Sequence, residues 1–172
     1  YLVGLLTVTL STVVTTAVII GLVVDVPRWY EPRYLIPLVG MMLGNTLTGL
    51  SLCLGHVMGG LRDRRAEIEA WLALGATVWE ASRGVVRDAV RTGLVPILNA
   101  MAVVGVVSLP GMMTGQILAG QSPIEAVKYQ IVVMFMIAGA TSLGTLIGAL
   151  LAWRRLVTSS HQLAIHRLEK PR

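Results

Sequence analysis

Four stretches of this chain, residues 1–24, 34–61, 92–124 and 129–153, carry no charged side chain. Each is long enough for the roughly 20 apolar residues that cross a bilayer as a helix. Within lipid every backbone polar group must be paired inside the structure, which leaves helices and closed barrels, and windows of this length suit helices. Only 13% of residues are charged, against about a quarter in soluble domains, and the mean hydropathy is +0.74. The expectation is an all-α, polytopic helical bundle in one membrane domain covering residues 1–172. Its spans fall near 1–24, 34–60, 94–110 and 124–153, with a polar loop at 61–93 and a tail at 154–172. The chain starts at Tyr1, inside an apolar run, with no basic region before it and no small-residue cleavage site after it. It therefore reads as a piece that lacks upstream spans rather than one that opens on a signal peptide.

The distribution of Lys and Arg orients the bundle. Two lie in 25–33, six in 61–93, one in 114–128 and five in 154–172. Basic residues collect on the cytoplasmic side, so the 61–93 loop and the tail are expected inside, and 25–33 and 111–123 outside. That places the chain in the inner (plasma) membrane as a multi-pass protein. The basic residues border lipid, with no groove-reading motif beside them, so nucleic acid is not an expected partner. Cys53 is the sole cysteine, which excludes an intrachain disulfide.

Most of the chemistry is concentrated in 67–99. Ile68, Trp71, Leu72 and Gly75 recur at helical spacing, with Glu67 and Glu69 off that face. Thr77 followed three residues later by Glu80 is a capping-box start for a second helix. On that helix Trp79, Ser82, Val86, Ala89, Val90 and Gly93 share one face, and Arg83, Arg87 and Arg91 stack at i, i+4 and i+8 on another. A folded, charged, amphipathic segment between greasy spans reads as a docking surface for a soluble partner. Its expected contact residues are Glu69, Trp71, Leu72, Gly75, Thr77, Trp79, Arg83 and Arg87.

The spans offer packing and path candidates. Gly40 with Gly44, and Gly55 with Gly59, fit the small-xxx-small spacing of close helix pairs, as do Ala140, Gly144 and Gly148 on the last span. Met41, Met42, Asn45, Cys53 and His56 fall within an arc of about 120°. Thioether, thiolate and imidazole groups suit soft or borderline transition metals, so these residues, with Asn99, Met112 and Met113, are candidates for a cation path. Methionine also fills gaps between helices, and packing is the competing reading. Pro96 and the Ser108–Gly111 stretch should kink or stop the third span. Met112 to Gly120 is too short to cross and reads as a re-entrant or outer-interfacial piece. Ser122, Pro123 and Glu125 mark a helix start.

What is missing narrows the function. Neither Lys128 nor Lys170 follows a glycine, so there is no phosphate-cradling nucleotide loop. No metal-ligand cluster or nucleophile–base set is visible; His161 and His166 sit in the polar tail. No carboxylate lies in the middle of a span, where proton-coupled carriers place them. No catalytic residue and no cofactor of its own are expected. A membrane domain with no motor and a folded amphipathic loop suggests the permease of an ATP-driven transporter. Glu69-Ala70-Trp71 before Gly75 resembles the importer coupling motif, with its Leu-Pro follow-up displaced to Val95-Pro96.

A closer resemblance rests on Leu72–Thr77 (LALGAT), Arg87–Arg91 (RDAVR), Val107–Gly120 (VSLPGMMTGQILAG), Pro123–Ile131 (PIEAVKYQI) and Ser159–Leu163 (SSHQL). In that order these segments resemble the Fet-type iron-export ABC permease family, whose plant relatives are linked to aluminium tolerance. The resemblance implies a dimeric membrane subunit that exports iron, with ATP and Mg bound on a separate cytosolic ATPase subunit. It also implies additional N-terminal spans. Two alternatives stand beside it. One is export of an organic solute such as a sugar nucleotide; the other is a non-transporting membrane scaffold that recruits a cytosolic partner.

Overall fold

The computed structural model describes residues 32–105 and 110–156. The expected first span, the loop up to residue 31, Ser108, Leu109 and the tail from residue 157 lie outside the described residues. What is described is all-α: α1 (Pro32–Asp63), α2 (Arg65–Ala73), α3 (Val78–Val103), α4 (Gly111–Leu118) and α5 (Pro123–Leu156). Helices α1, α3 and α5 pack on one another in a bundle, α2 folds back on α3, and α4 lies against α5. Helices α1 and α5 run the same way and α3 runs against them. We call the end carrying α2 the hairpin end and the end carrying α4 the far end.

Among the described residues two helices are long and apolar enough to cross a membrane, Ile36–Asp63 in α1 and Pro123–Leu156 in α5, with window hydropathies of 1.4 and 2.0. Four spans were expected. The third differs most from expectation, because the second amphipathic helix and the following span are one continuous rod, α3, with no break at residue 93. Pro96 lies inside it and removes one helix hydrogen bond. The helix continues because both flanks are held: Gly93 is wedged between α1 and α5, and Ile97 is buried in the far-end core. Helix α3 ends at Val103, followed by Gly105 at φ +84°. Gly111–Leu118, expected as an interfacial piece, is a short helix closed by Gly120 at φ +89°. Helix α5 starts at Pro123, as its Ser-Pro-x-Glu signal predicts.

The bundle turns on one joint. A Cβ built on Gly93 would stand 2.7 Å from the Gly49 carbonyl oxygen and 3.0 Å from both Cys53 Cβ and Thr145 Cγ2. One built on Gly49 would meet Thr141 Cγ2 at 2.7 Å and the Gly93 carbonyl at 2.8 Å. Three helices therefore meet at a place where only hydrogen fits between backbones, the geometry that small residues permit in lipid. Cys53 Sγ–H reaches the Thr145 carbonyl at 3.6 Å, and Thr145 Oγ1–H donates to Thr141 O at 2.9 Å. Below the joint Gly60 admits Val85, whose Cγ1 lies 2.6 Å from a notional Cβ. By contrast Gly40, Gly44, Gly55 and Gly59, the pairs singled out by spacing, meet nothing within 4 Å among the described residues. Ala140, Gly144 and Gly148 of α5 are buried. Two apolar cores flank the joint: Cys53, Val57, Leu61, Ile68, Val85, Val86, Ala89, Ala149 and Leu156 at the hairpin end, and Met42, Ile97, Val133, Met136, Ile137 and Ala140 at the far end.

Gly93→Val forces side-chain atoms into the Gly49 backbone, and overpacking of this kind costs about 1–3 kcal/mol. The expected result is a lower thermal midpoint in detergent and faster alkylation of the buried Cys53 thiol. Gly55→Val, which enters open space, should leave both unchanged. Equal behaviour of the two variants would show that the joint does not hold the helices.

Candidate functional site

Helices α2 and α3 form a helical hairpin, and its two ends are closed by local chemistry. Helix α2 stops in a Schellman-type turn: the Ala76 N–H donates to the Trp71 carbonyl at 3.1 Å and the Gly75 N–H to Leu72 O at 3.0 Å. Gly75 sits at φ +90° with open space around it, so its role is conformational. Helix α3 opens on the predicted capping box. The Glu80 N–H donates to Thr77 Oγ1 at 3.3 Å, and Glu80 Oε2 accepts from the Thr77 hydroxyl at 2.6 Å and the Thr77 N–H at 2.8 Å. Those two bonds, the hydroxyl first, hold the Glu80 carboxyl below the usual range. A depressed carboxylate pKa stabilises the fold above the ordinary value, and the contribution is lost as pH falls through the lowered one.

The hairpin is seated on the bundle. Ile68 is buried and Leu72 packs partly against the hairpin-end core. The Trp153 Nε1–H, near the end of α5, donates to Ser82 Oγ at 2.7 Å, and the Ser82 hydroxyl donates on to the Val78 carbonyl. Trp79 meets Trp153 edge to face, with centroids 5.0 Å apart and planes at 77°. Sequence reasoning grouped Ser82 with Trp79, Val86, Ala89 and Gly93 on one face, expected to meet a soluble partner; Ser82, Val86, Ala89 and Gly93 are instead buried in the bundle, and the partner of Ser82 was not foreseen. Ser82 and Trp153 are 71 residues apart, and no local pattern joins them. The turn itself is bare: Leu74 is 81% exposed and Trp71 53%.

Of the expected contact residues, Trp71, Leu72, Gly75, Thr77 and Trp79 cluster at or beside this turn. Glu69 pairs with Arg65 at 2.7 Å on the exposed side of α2. Arg83 and Arg87 instead line a cleft of about 810 Å3 between the hairpin and Leu146 and Leu150 of α5.

The candidate path residues are divided between both cores. Met42 is buried in the far-end core, with Met41 and Met112 packed against it. Met41, Met112 and Gln116 line a far-end recess of about 440 Å3, and Gln116 Oε1 is buried without a hydrogen bond. The Asn45 amide donates to its own Met41 carbonyl at 2.8 Å, and Met113 is half-buried. Cys53 lies in the hairpin-end core, while His56 and Asn99 are exposed. Met41, Met42 and Met112 are thus brought together; Cys53, His56 and Asn99 do not join them. Among the described residues no group of three or more His, Cys, Asp or Glu could hold a metal ion.

Comparison with known proteins places this geometry. The model of UPF0014, described as an uncharacterised protein family, matches residues 1–157. A UPF0014 membrane protein of Synechocystis is 40% identical over 155 residues, covering 90% of this chain and 60% of its own length. The probable iron export permease protein FetB of Escherichia coli is 40% identical over 141 residues, 82% of this chain and 54% of its own length. Protein ALUMINUM SENSITIVE 3 of Arabidopsis thaliana is 38% identical over 137 residues, 80% of this chain and 50% of its own length. The chain thus spans between half and three-fifths of the length of these relatives. No solved structure matches.

Trp153→Phe keeps the ring but removes the N–H that Ser82 accepts from. The expected loss is about 1 kcal/mol, read as several-fold faster hydrogen exchange of the α3 amides at 81–86. Ser82→Ala should reproduce it, and the double variant should add little. Additive effects would mean that the two residues act separately.

Proposed function

The chain belongs to the UPF0014 family of membrane proteins, and on that premise we propose that it is the permease part of an ABC transporter, powered by a separate cytosolic ATPase. The observation that carries this reading is the hairpin: a folded, capped helix pair seated on the bundle, with an apolar turn at Leu74-Gly75 facing away from it. An exposed Leu and Trp on a rigid turn are suited to a pocket in a soluble partner, where one such anchor is worth about 2 kcal/mol or more. The excess of Lys and Arg on the hairpin side orients that turn to the cytosol. In this arrangement ATP and Mg belong to the partner, and two permease copies face one ATPase pair in the inner membrane.

Iron is the proposed cargo, carried over from the printed name of the E. coli relative, a probable iron export permease. The far-end recess of Met41, Met112 and Gln116 is the proposed outer mouth of the path. Its thioethers and the unpaired Gln116 oxygen offer weak, successive contacts, which release a cation more readily than a closed cage does.

Leu74→Glu changes only an exposed side chain, so membrane abundance should stay at the wild-type level. Transport and transport-linked ATP hydrolysis in the reconstituted complex should fall at least tenfold, the loss expected of a central anchor. Gly75→Val, strained by its positive φ, should act in the same direction. A Leu74→Glu complex with wild-type transport would overturn the docking role.

A further inference from the structure

Arg83, Arg87 and Arg91 form a cationic row on α3; the first two, expected as partner contacts, line the cleft rather than the exposed turn. Contacts on either side fix its height. Gly93 abuts Gly49, and Val85 abuts Gly60, so Arg87 and Arg91 stand beside the segment of α1 between those two glycines. That segment belongs to the apolar span Ile36–Asp63. All three arginines are exposed, and within the described residues none has a hydrogen bond or ion pair. Glu80 lies in range of Arg83, and Asp88, the acid nearest in sequence to Arg87 and Arg91, pairs with Arg64. Cations left at this depth without a counter-charge are costly.

The cleft below the row combines this charge with an acyl-compatible wall. Arg83 and Arg87 line it together with Val86, Val90, Leu146 and Leu150. Leu146 is 46% exposed and Leu150 36%. Leu146 lies ten residues from the end of α5 at Leu156, about 15 Å along the helix, next to the Thr145 joint. A soluble partner docked at Leu74 does not extend that far up a membrane-crossing helix, whereas a lipid tail does. The opposing charges are accounted for. Arg64, also on the lining, pairs with Asp88 at 3.4 Å, and Glu80 is held by Thr77. Glu67 of α2 is the other acid on the lining, beside three arginines, Arg64, Arg83 and Arg87.

We propose that this cleft binds one anionic phospholipid of the hairpin-side leaflet, its phosphate held by Arg83 and Arg87 and one acyl chain laid along Val90, Leu146 and Leu150. Guanidinium pairs bidentately with phosphate and is weakly hydrated, which suits it to a headgroup site. Basic pockets between helices on the cytoplasmic side are established lipid sites in general. The site requires no ATPase, so it stands whether or not the docking reading does.

The test is native mass spectrometry of the full-length membrane protein, purified in detergent and equilibrated with equal phosphatidylglycerol and phosphatidylcholine. Wild type should retain phosphatidylglycerol in preference. Arg83→Gln and Arg87→Gln should each cut that preference about fivefold, and the double variant should abolish it. Arg62→Gln, outside the cleft, should not. Leu150→Trp fills the apolar wall without changing charge and should lower retention of both lipids, with an unchanged thermal midpoint confirming the fold. Equal retention of the two lipids by wild type, or no effect of the double variant, would overturn the proposal. So would displacement of the lipid by millimolar inorganic phosphate, which would mark a simple anion site. Loss of ATPase binding in the double variant without any lipid change would assign the row to the protein partner instead.

Discussion

The close approach of Gly49 to Gly93, with Thr141 and Thr145 pressed against it, is the contact on which the remaining packing depends. In a bilayer the lipid tails are as apolar as the helices, so burial supplies little force between spans. Dispersion at short range and hydrogen bonds across the interface do the work instead. Both need backbones to approach closely, and the joint provides this by having no Cβ on either glycine. The bonds of Cys53 and Thr145 to carbonyls in the same place satisfy polar groups that lipid cannot. Above and below it the two apolar cores fill in with larger side chains.

Because α3 is unbroken from Val78 to Val103, the joint and the hairpin turn are ends of one rigid element. Gly93 is fifteen residues from the start of α3, about 22 Å along the rod. A shift at the turn therefore reaches the joint as a tilt rather than being absorbed in a loop. The Trp153–Ser82 bond and the Trp79–Trp153 contact tie the foot of the rod to α5. The rod can then move only with α5 or by breaking a hydrogen bond in a poorly solvated place, where an unmade bond is expensive. That arrangement favours two discrete positions over a continuum.

Patterns of short range were legible in the sequence. The apolar windows of α1 and α5, the capping box at Thr77, the start at Pro123 and the exposed arginine row all appear where the spacing puts them. Contacts of long range were not. The spacing rule selected Gly40, Gly44, Gly55 and Gly59, which stand open, whereas the joint uses Gly49, Gly60 and Gly93. A small-xxx-small pair states that a close approach is possible, and only the partner helix decides where it happens. Gly49 and Gly60 are eleven residues apart and so share a face with Cys53, a regularity visible only after Cys53 is known to be buried. Pro96 did not stop the helix for a related reason: its local effect is to weaken a helix, and tertiary packing at Gly93 and Ile97 holds both flanks. The candidate path residues divided because 100° spacing gives a direction, not a depth, and Cys53 lies in a different core from Met42.

The hairpin carries the two proposed binding surfaces side by side, with Trp71 and Trp79 on the lining of the cleft. Its turn presents apolar groups without net charge, the composition of a protein-binding core. Its flank presents arginines above an aliphatic wall, the composition of a headgroup site. Trp79 borders both surfaces: it lines the cleft and meets Trp153, beside the Ser82 bond. A lipid in the cleft and a protein at the turn would therefore press on the same ring, and through it on the foot of α3. Two ligands that bias one rigid element must be thermodynamically coupled, and the coupling is reciprocal. On the proposed docking and lipid sites, the lipid composition of the leaflet belongs among the variables that would set how firmly the turn engages a partner.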